Sequence, residues 1–433
     1  MDKRGFLKFS GVGLASASLL AASAKASAQS TSDDAFYTDN KLTDITGSVK
    51  PVTAKERQAR INKAQSLMAE HDMAAIIIEP GAAMDYFTGI QWWRSERLTA
   101  VVIPREGDIA VVTPFFEAPS VKETLQVGQD IRVWQEHESP FEQVKQILKD
   151  RKVTKGNIGF EQSVRYFVLN GLMPLLPDMK NVSAEPVTLG CRMYKSAHEL
   201  RLMHKANEIT LQAYDHVYKN LEAGMSQGDV KGLMQSAQQK LGGSGIWTMA
   251  LFNEASAYPH GTRQEQVLRE GSVVLMDCGC SVHGYQSDIS RTFVFGEASK
   301  KQRKVWQLVR DGQQRVFEQA QPGNTAGSVD ERVRQFYNEQ GYGPGYQLPG
   351  LSHRTGHGIG MEGHERVNFV KGEKQKLAPG MCFSNEPGIY IPGEFGVRLE
   401  DCLYITDKGP QWFTRPPQSL DKPIGELASL STE

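Results

Sequence analysis

The sequence lacks an excess of charge of either sign, since its 433 residues include 49 Lys plus Arg and 50 Asp plus Glu. Proteins that bind the phosphate backbone of nucleic acids carry a clear surplus of basic residues. We therefore expect no nucleic-acid partner. Cysteine is also scarce, with five residues in the chain, the first of them at Cys191. An odd number that avoids the first part of the chain argues against a disulfide framework.

Long hydrophobic runs are few, and the clearest one lies near the N-terminus. Lys3 and Arg4 precede the uncharged residues 9–24, and the small residues 26–28 follow. A membrane-spanning helix needs about 20 predominantly apolar residues, whereas this run is shorter and rich in Gly, Ser and Ala. The pattern predicts a cleavable signal peptide over residues 1–28, similar to a twin-arginine signal in which Lys3 replaces the first arginine. We therefore expect a periplasmic or secreted bacterial protein without stable membrane insertion after cleavage.

The remaining sequence has the composition of a folded protein, with 39% hydrophobic and 23% charged residues in the whole chain. Residues 29–51 are rich in Ser, Thr and Asp and predict a polar leader or arm. Over residues 52–191, strand-length apolar runs and segments of helical periodicity predict a small α/β domain.

The second predicted domain, residues 192–425, contains a repeated order of elements. Two helical segments precede strand-like sequence, and the same order then recurs. The capping boxes Ser196 to Glu199 and Ser328 to Glu331 are expected to open a helix in each half. The pattern predicts an α+β domain with an internal duplication and an antiparallel or mixed sheet.

Carboxylates interrupt apolar sequence at several positions of this second domain. Asp277 follows four apolar residues, and Asp288 lies eleven residues further on. Glu386, Glu400 and His357 also lie among apolar or glycine neighbours. Taken singly, each carboxylate would more often be a helix cap or an ion-pair partner. Buried together, four carboxylates would carry a charge of −4, which two divalent cations would cancel. Mostly oxygen ligands with one imidazole suit Mn(II), with Co(II), Fe(II) or Zn(II) as alternatives.

Five ordered strings resemble the aminopeptidase P, prolidase and creatinase family. The resemblance extends over about residues 52 to 420, and the strings are Asp277–Gly279, Gly284–Thr292, His353–His364, Glu386–Tyr390 and Gly396–Asp401. It implies a pita-bread catalytic domain over residues 192–425, preceded by a smaller creatinase-type N-terminal α/β domain over residues 52–191.

The resemblance also implies a set of metal ligands. Asp277 would bind one metal ion, and His357 with Glu386 would bind the other. Asp288 and Glu400 would bridge the two ions.

Further residues correspond to auxiliary positions of the family. His260 and His364 would hydrogen-bond the substrate carbonyl or the tetrahedral intermediate, and Arg398 would contribute to substrate binding. His353 would support the ligands or relay a proton. Glu386 would take a proton from the attacking water and return it to the leaving nitrogen.

The activity implied by the resemblance is hydrolysis of peptide bonds next to proline by a metal-bridging hydroxide, as an Xaa-Pro dipeptidase or aminopeptidase. The substrate would be a proline-containing dipeptide or oligopeptide. Two alternatives stay open. One is an enzyme of the same fold acting on a small zwitterionic molecule, like creatinase, ectoine hydrolase or dimethylsulfoniopropionate lyase. The other is a noncatalytic binding protein.

One loop of the first domain carries a different signal. Trp92 and Trp93 are adjacent and lie beside Arg94 and Arg97, a composition that is frequent in interface anchors. The resemblance implies a homodimer in which this loop lies near a neighbouring active site. The alternative is a solvated loop with one tryptophan buried.

Overall fold

The computed structural model describes residues 42–430. The predicted signal peptide, residues 1–28, and residues 29–41 of the predicted leader lie outside the described residues. Residues 42–51 do not form a free arm. They include a short 3-10 helix, Thr46–Ser48, and the Ile45 backbone N–H donates a hydrogen bond to the Leu241 carbonyl at 3.1 Å.

The first region, up to Arg192, is built around one mixed sheet. Its helices are α1 (Ala54–Glu70), α2 (Ala82–Thr88), α3 (Ala118–Thr124), α4 (Pro140–Asp150), α5 (Tyr166–Leu172) and α6 (Glu185–Arg192), and its strands are β1 (Met73–Ile78), β2 (Ala100–Pro104), β3 (Ala110–Pro114), β4 (Asp130–Trp134), β5 (Gly156–Phe160) and β6 (Met179–Ser183). The strand order is β4-β3-β2-β1-β5-β6. Strand β2 is antiparallel to both of its neighbours, while β3 pairs parallel with β4, and β5 pairs parallel with β1 and β6.

Local sequence explains how this region begins and packs. A capping box begins α1, since the Thr53 hydroxyl accepts from the Glu56 N–H and the Glu56 carboxylate accepts from the Thr53 N–H. Strands β2 and β3 are buried along their whole length. Continuous apolar strands of this kind are expected where both faces of a sheet are covered.

The second region starts at Ala197. Its helices are α7 (Ala197–Lys219), α8 (Gln227–Lys240), α9 (Lys300–Gln319) and α10 (Ala326–Glu339), and its strands are β7 (Ser244–Phe252), β8 (Ser272–Val282), β9 (Tyr285–Gln286), β10 (Ile289–Phe295), β11 (Gly356–Gly358), β12 (Glu365–Phe369), β13 (Cys382–Asn385), β14 (Gly388–Ile391), β15 (Phe395–Arg398), β16 (Asp401–Thr406), β17 (Gly409–Trp412), β18 (Thr414–Arg415) and β19 (Glu426–Leu427). The order of two helices followed by strands occurs twice, as the sequence predicts.

Each half of this region contributes one main sheet. The first sheet has the order β10-β8-β7 with β9 paired to β8, and the second has the order β12-β11-β13-β16-β17. All the pairings in these two sheets are antiparallel. The predicted α+β class with an antiparallel sheet is therefore observed.

One predicted helix start is wrong. Helix α10 begins after Thr325, whose hydroxyl accepts a hydrogen bond from the Ser328 N–H, and not with a Ser328 to Glu331 capping box. Ser328 lies inside the first turn, and its hydroxyl donates to the Thr325 carbonyl at 2.7 Å. A threonine three residues before the serine competes for the same capping role, because both hydroxyls suit an N-cap position.

The two sheets of the second region meet along β10 and the segment between β15 and β16. The Glu400 N–H donates to the Ser290 carbonyl at 3.1 Å, and the Thr292 hydroxyl donates to the Arg398 carbonyl at 2.8 Å. These bonds connect the two halves of the duplication. They also fix the position of the acidic residues that lie beside them.

Candidate metal centre

A cavity of about 770 Å³ lies in the second region. All nine residues predicted as ligands or auxiliary residues line it, and they are Asp277, Asp288, His357, Glu386, Glu400, His260, His353, His364 and Arg398. The structure therefore brings together every site residue that the sequence predicts.

The first sheet positions two of the carboxylates. Asp277 lies in the middle of β8, directly opposite Ser290 of β10. Asp288 immediately precedes β10, two residues before Ser290. Side chains two apart along extended chain point to the same face. This pairing therefore places the two aspartates on one face of the sheet.

The second sheet positions the other three ligands. His357 lies in β11, Glu386 follows β13, and Glu400 precedes β16. Strands β13 and β16 are antiparallel, with Asn385 opposite Asp401. The antiparallel pairing thus puts Glu386 and Glu400 next to each other at the same end of this sheet.

The ligand atoms of the five residues form overlapping groups. Atoms of Asp277, Asp288 and Glu400 all lie within 4.8 Å of one another, and the same holds for His357, Glu386 and Glu400. Nε2 of His357 is 3.6 Å from Oδ2 of Asp288 and 3.6 Å from Oε1 of Glu386. Glu400 belongs to both groups, which suits a residue that bridges two ions.

Three carboxylate oxygens at this point have no hydrogen-bond partner among the described residues. They are Oδ1 of Asp277, Oδ1 of Asp288 and Oε1 of Glu400, and all three atoms are buried. A buried polar atom without a partner costs free energy. Since carboxylate oxygens are ligands for divalent cations, these atoms fit a metal centre.

The electrostatics of the site lead to the same conclusion. Burial raises the pKa values of Asp288 and Glu400 well above their usual range, and the neighbouring carboxylates raise them further. Burial also raises the pKa of Glu386, to about 7. The charged forms of these groups are therefore costly unless positive charge is present.

The ring of His357 is oriented as a ligand. Its Nδ1 lies 3.0 Å from the Gly358 carbonyl, and a carbonyl can only accept, so we assign the ring proton to Nδ1. The lone pair of Nε2 then faces Asp288 and Glu386. Burial lowers the pKa of His357 well below its usual value, which favours the neutral imidazole that binds metals.

Arg398 is largely committed to contacts within the protein. Its guanidinium donates to Oδ2 of Asp277 at 2.6 Å, to the Ser290 hydroxyl at 2.9 Å, to the Tyr390 hydroxyl at 3.0 Å and to the Pro259 carbonyl at 3.1 Å. The side chain is buried, with 2% of its area exposed. It therefore fixes the orientation of Asp277 in addition to lining the cavity.

The three auxiliary histidines differ in their surroundings. His353 is held by the Arg354 carbonyl and the Tyr390 hydroxyl, each at 2.7 Å, and burial with the nearby Arg398 lowers its pKa to about 3. His364 is exposed, and its ring packs edge-on against His357 with 4.3 Å between ring centroids. His260 lies on the cavity wall.

Two further residues, Ser290 and Tyr390, take part in the site although they are not among the predicted ones. The Ser290 hydroxyl donates to Oε2 of Glu400 at 2.8 Å, and the Tyr390 hydroxyl joins His353 to Arg398. Both residues lie within strings used for the family resemblance. Tyr390 is the hydroxyl-bearing residue of the otherwise apolar strand β14, whereas Ser290 is one of three consecutive polar residues of β10. Only the pairing of strands shows which side chains they contact.

Two family models match the chain. They are metallopeptidase family M24, over residues 201–407, and the creatinase/prolidase N-terminal domain, over residues 60–194. These matches confirm the expected fold class, a creatinase-type N-terminal domain followed by a pita-bread catalytic domain.

Individual proteins are similar over most of their length. The chain is 31% identical over 365 residues to the probable dipeptidase PepE of Mycobacterium tuberculosis, covering 83% of this chain and 95% of that protein. It is 29% identical over 375 residues to an Xaa-Pro dipeptidase of Lactobacillus delbrueckii, covering 83% and 98%.

Solved structures agree with these matches. The dipeptidase PepE from Mycobacterium ulcerans has a TM-score of 0.79 at 28% identity, with 86% of this chain and 98% of that chain covered. A prolidase from Thermococcus sibiricus has a TM-score of 0.76 at 26% identity, with 82% and 96% covered.

The predicted periplasmic or secreted location is wrong by these comparisons. Relatives such as the putative dipeptidase YkvY of Bacillus subtilis and the Xaa-Pro dipeptidase of Pyrococcus furiosus belong to a group of proteins that are typically cytoplasmic. The prediction was based on residues 1–28, which lie outside the described residues. Between residues 42 and 430, no helix combines the length and apolar character needed to cross a membrane.

Proposed function

Because the chain belongs to metallopeptidase family M24 and is therefore a metal-dependent hydrolase, we propose that it cleaves peptide bonds next to proline. The activity would be that of an Xaa-Pro dipeptidase or an Xaa-Pro aminopeptidase. Relatives that carry the name Xaa-Pro dipeptidase support this choice. The observation that carries the proposal is the meeting of three unpartnered carboxylate oxygens in one cavity that also contains a neutral imidazole.

The site suits two divalent cations, for which Mn(II) is our first choice and Co(II), Fe(II) or Zn(II) are alternatives. Asp277 would hold one ion, His357 and Glu386 the other, and Asp288 and Glu400 both. When bound, such ions polarise a carbonyl and lower the pKa of a water molecule so that hydroxide is available near neutral pH.

Glu386 is the proposed proton carrier. Its carboxylate faces the cavity, with Nε of Arg354 at 3.9 Å and Nδ1 of His353 at 4.0 Å. A carboxylate in this position can take a proton from the attacking water and give it to the leaving nitrogen. The side chains of Arg354 and His353 would restrict the rotation of this carboxylate between the two proton transfers.

His260 and His364 are proposed to hydrogen-bond the substrate carbonyl and the tetrahedral intermediate. Both line the cavity, and His364 is held beside the ligand His357. Arg398 is proposed to assist substrate binding while it orients Asp277. His353 would help to hold Arg398 in place, because the Tyr390 hydroxyl contacts both residues.

Selectivity for proline follows from the chemistry of that residue and from the cavity wall. A bond that precedes proline has no N–H, and the ring fixes φ, so recognition as an ordinary extended strand is impaired. Trp247, Met249 and Pro259 line the same cavity. Apolar surfaces of this kind can accommodate a pyrrolidine ring.

The test is a substrate panel with the full-length chain loaded with each of the four metals. We expect release of proline from Xaa-Pro dipeptides or of the N-terminal residue from Xaa-Pro-Yaa peptides, and no release by Asp288→Asn. If proline substrates stay intact while a small amidine or sulfonium compound reacts, the enzyme belongs to the alternative class with zwitterionic substrates. If nothing reacts and no metal binds, the noncatalytic alternative is favoured.

We also propose a homodimer formed through the first region. The rings of Trp92 and Trp93 stack at 4.2 Å, and Trp93 is 66% exposed. Nε of Arg94 donates to the Pro80 carbonyl at 2.8 Å, and Nε of Arg97 donates to Glu136 at 2.8 Å, so the loop is held in place. An anchored loop with a large exposed aromatic ring suits an interface.

Sedimentation velocity tests this second proposal. Wild type should sediment as a dimer, and Trp93→Ser should shift the population towards monomer, with lower turnover if the loop completes a neighbouring site. A monomeric wild type would contradict it. Tyr166→Ser is a suitable control, because Tyr166 is also highly exposed but lies outside the Trp92 loop.

A further inference from the structure

Glu365 lies directly after the auxiliary residue His364, yet its side chain is almost fully buried, with 4% exposed. It is the first residue of β12 and pairs with Gly358 of β11. The turn between these strands, residues 359–364, therefore starts beside the ligand His357 and ends at His364. Whatever holds this turn also determines where the His364 ring lies.

The carboxylate of Glu365 binds the backbone of this turn. Its Oε1 accepts from the Met361 N–H at 3.0 Å and from the Glu362 N–H at 3.3 Å. Two adjacent N–H groups directed at one oxygen restrain the turn, and a charged acceptor strengthens such bonds. Without the carboxylate, these two donors would lose this partner.

The same carboxylate is bound from the other side by the segment that connects the two regions. Nζ of Lys195 lies 2.8 Å from Oε2, and Nη2 of Arg192 contacts Oε1. Both cations are buried, with side-chain exposures of 3% and 7%. The Lys195 backbone is fixed in turn, since its N–H donates to the Gly380 carbonyl at 2.8 Å.

The packing around this ion pair leaves no room for a side chain at Gly360, within the turn. A Cβ added at Gly360 would lie 2.7 Å from Oε2 of Glu365 and 2.7 Å from Cε of Lys195. The Gly360 carbonyl also accepts from the Gln286 N–H at 2.8 Å, two residues before Asp288. The turn is thus packed between the connecting segment and the chain that leads to the metal centre.

We propose that Glu365 is a positioning residue for His364, because it fastens the turn 359–364 to the connecting segment 192–195 and so sets the place at which His364 meets the substrate. The proposal rests on the proposed function for the role of His364. Glu365 does not contact the substrate in this account. It acts through the turn.

Two substitutions at Glu365 separate the effect of its charge from the effect of its hydrogen-bond acceptors. Glu365→Gln keeps an oxygen that can accept from the turn but loses the charge. Glu365→Met fills a similar volume and removes the acceptors. The matched control is Glu362→Gln, because Glu362 binds the same Arg192 at 2.7 Å but has a side chain that is 50% exposed.

We expect Glu365→Met to lower kcat on an Xaa-Pro dipeptide about 100-fold, as small displacements of a catalytic group do, with unchanged metal content. Glu365→Gln should lose about tenfold or less, since the turn keeps a partner. Glu362→Gln should stay within about twofold of wild type, since the Glu362 carboxylate is half exposed and Arg192 keeps Glu365 as its partner.

A double-mutant cycle tests whether Glu365 acts through His364. In an His364→Asn background, Glu365→Met should lower kcat by only about twofold, because residues that act as a unit are not additive. If the full loss of activity recurs in that background, Glu365 acts on something else and the proposal fails.

A readout independent of turnover is the carbethoxylation of His364 by diethyl pyrocarbonate, followed by mass spectrometry. When the hydrogen bonds that hold the turn 359–364 are lost, the labelling rate of His364 should change several-fold. We expect this change in Glu365→Met, a smaller change in Glu365→Gln, and the wild-type rate in Glu362→Gln. An unchanged rate in both Glu365 variants would overturn the proposal.

The labelling experiment also separates the proposed role of Glu365 from the proposed cleavage of proline peptides. If wild type hydrolyses no proline peptide, the labelling still decides the role of Glu365. If Glu365→Met does not fold because the buried Lys195 loses its ion-pair partner, Glu365→Gln provides both the labelling comparison and the cycle with His364→Asn.

Discussion

Nε2 of His357 lies 3.6 Å from Oδ2 of Asp288, although the two residues belong to different sheets. Asp288 precedes β10 of the first sheet, and His357 lies in β11 of the second. The metal centre is therefore formed where the two halves of the internal duplication meet, and each half supplies ligands. An arrangement of this kind depends on the contact between the sheets as much as on the ligands themselves.

The neighbours Glu400 and Asp401 should respond oppositely to loss of charge. Asp401 is fully buried and receives hydrogen bonds from Arg291, Gln313 and Thr414 at 2.6 to 3.2 Å. Asp401→Asn should thus lower the free energy of unfolding by about 3 kcal/mol or more, because it leaves Arg291 buried without its counter-charge.

Glu400→Gln should raise the free energy of unfolding of the metal-free protein, since it removes one of several mutually repelling carboxylates. Its activity should nevertheless be lost. Urea denaturation of both variants in the presence of a chelator measures the difference. Equal destabilisation by the two substitutions would show that Glu400 is held by structural partners like its neighbour.

Ser290 should affect metal affinity without being a ligand. Its hydroxyl donates to Glu400 and accepts from Arg398, and removal of a group that orients metal ligands typically costs 10-fold to 100-fold in affinity. We expect a loss in this range for Ser290→Ala by isothermal titration calorimetry. Ser281→Ala is the control, because Ser281 is also buried in the same sheet but bonds to Ser244; an equal effect there would argue for general loosening of the sheet.

The Tyr390 hydroxyl is expected to contribute to turnover. It donates to Nε2 of His353 and accepts from Nη1 of Arg398. We expect Tyr390→Phe to lower kcat about tenfold with unchanged metal content, since both partners lose a hydrogen bond that orients them. Tyr337→Phe is a close control, because the buried Tyr337 hydroxyl has no hydrogen-bond partner in the described structure, and its kinetics should match wild type.

The contribution of Glu56 to stability should depend on pH. Burial alone would raise the pKa of this carboxyl, but hydrogen bonds from Thr53 and His198 lower it to about 2. Because the folded-state pKa lies below the unfolded value, the stabilisation is fully present above about pH 4.5 and is lost as the pH falls towards 2. The difference in unfolding free energy between wild type and Glu56→Gln, about 1 kcal/mol near pH 6, should shrink on acidification; a constant difference would refute this explanation.

The sequence predicts most of the local structure because local structure depends on near neighbours. The capping boxes at Thr53 and Ser196 involve residues three positions apart, and both are present. The same rule failed at Ser328, because Thr325 offers an equivalent hydroxyl and the sequence does not tell which one lies at the end of the helix. Local rules give the presence of a helix more reliably than its first residue.

The ligand set was predicted from a family resemblance and not from spacing alone. The sequence pattern does not distinguish Glu400 from Asp401, and only the tertiary contacts show that Asp401 is saturated while Glu400 keeps a free oxygen. Likewise, the sequence does not single out Glu365, because a carboxylate directly after His364 has the pattern of an ordinary solvent-exposed residue. Its partners Arg192 and Lys195 lie about 170 positions earlier in the chain.

The most direct test of the account is the number of metal ions bound per chain. Elemental analysis after reconstitution with Mn(II) should find two ions in wild type and fewer in Asp288→Ala and Glu400→Ala, with Xaa-Pro hydrolysis lost in step with the metal. Wild type that binds no divalent ion, or that hydrolyses Xaa-Pro peptides at full rate after complete chelation, would contradict the claim that these carboxylates form a catalytic metal centre.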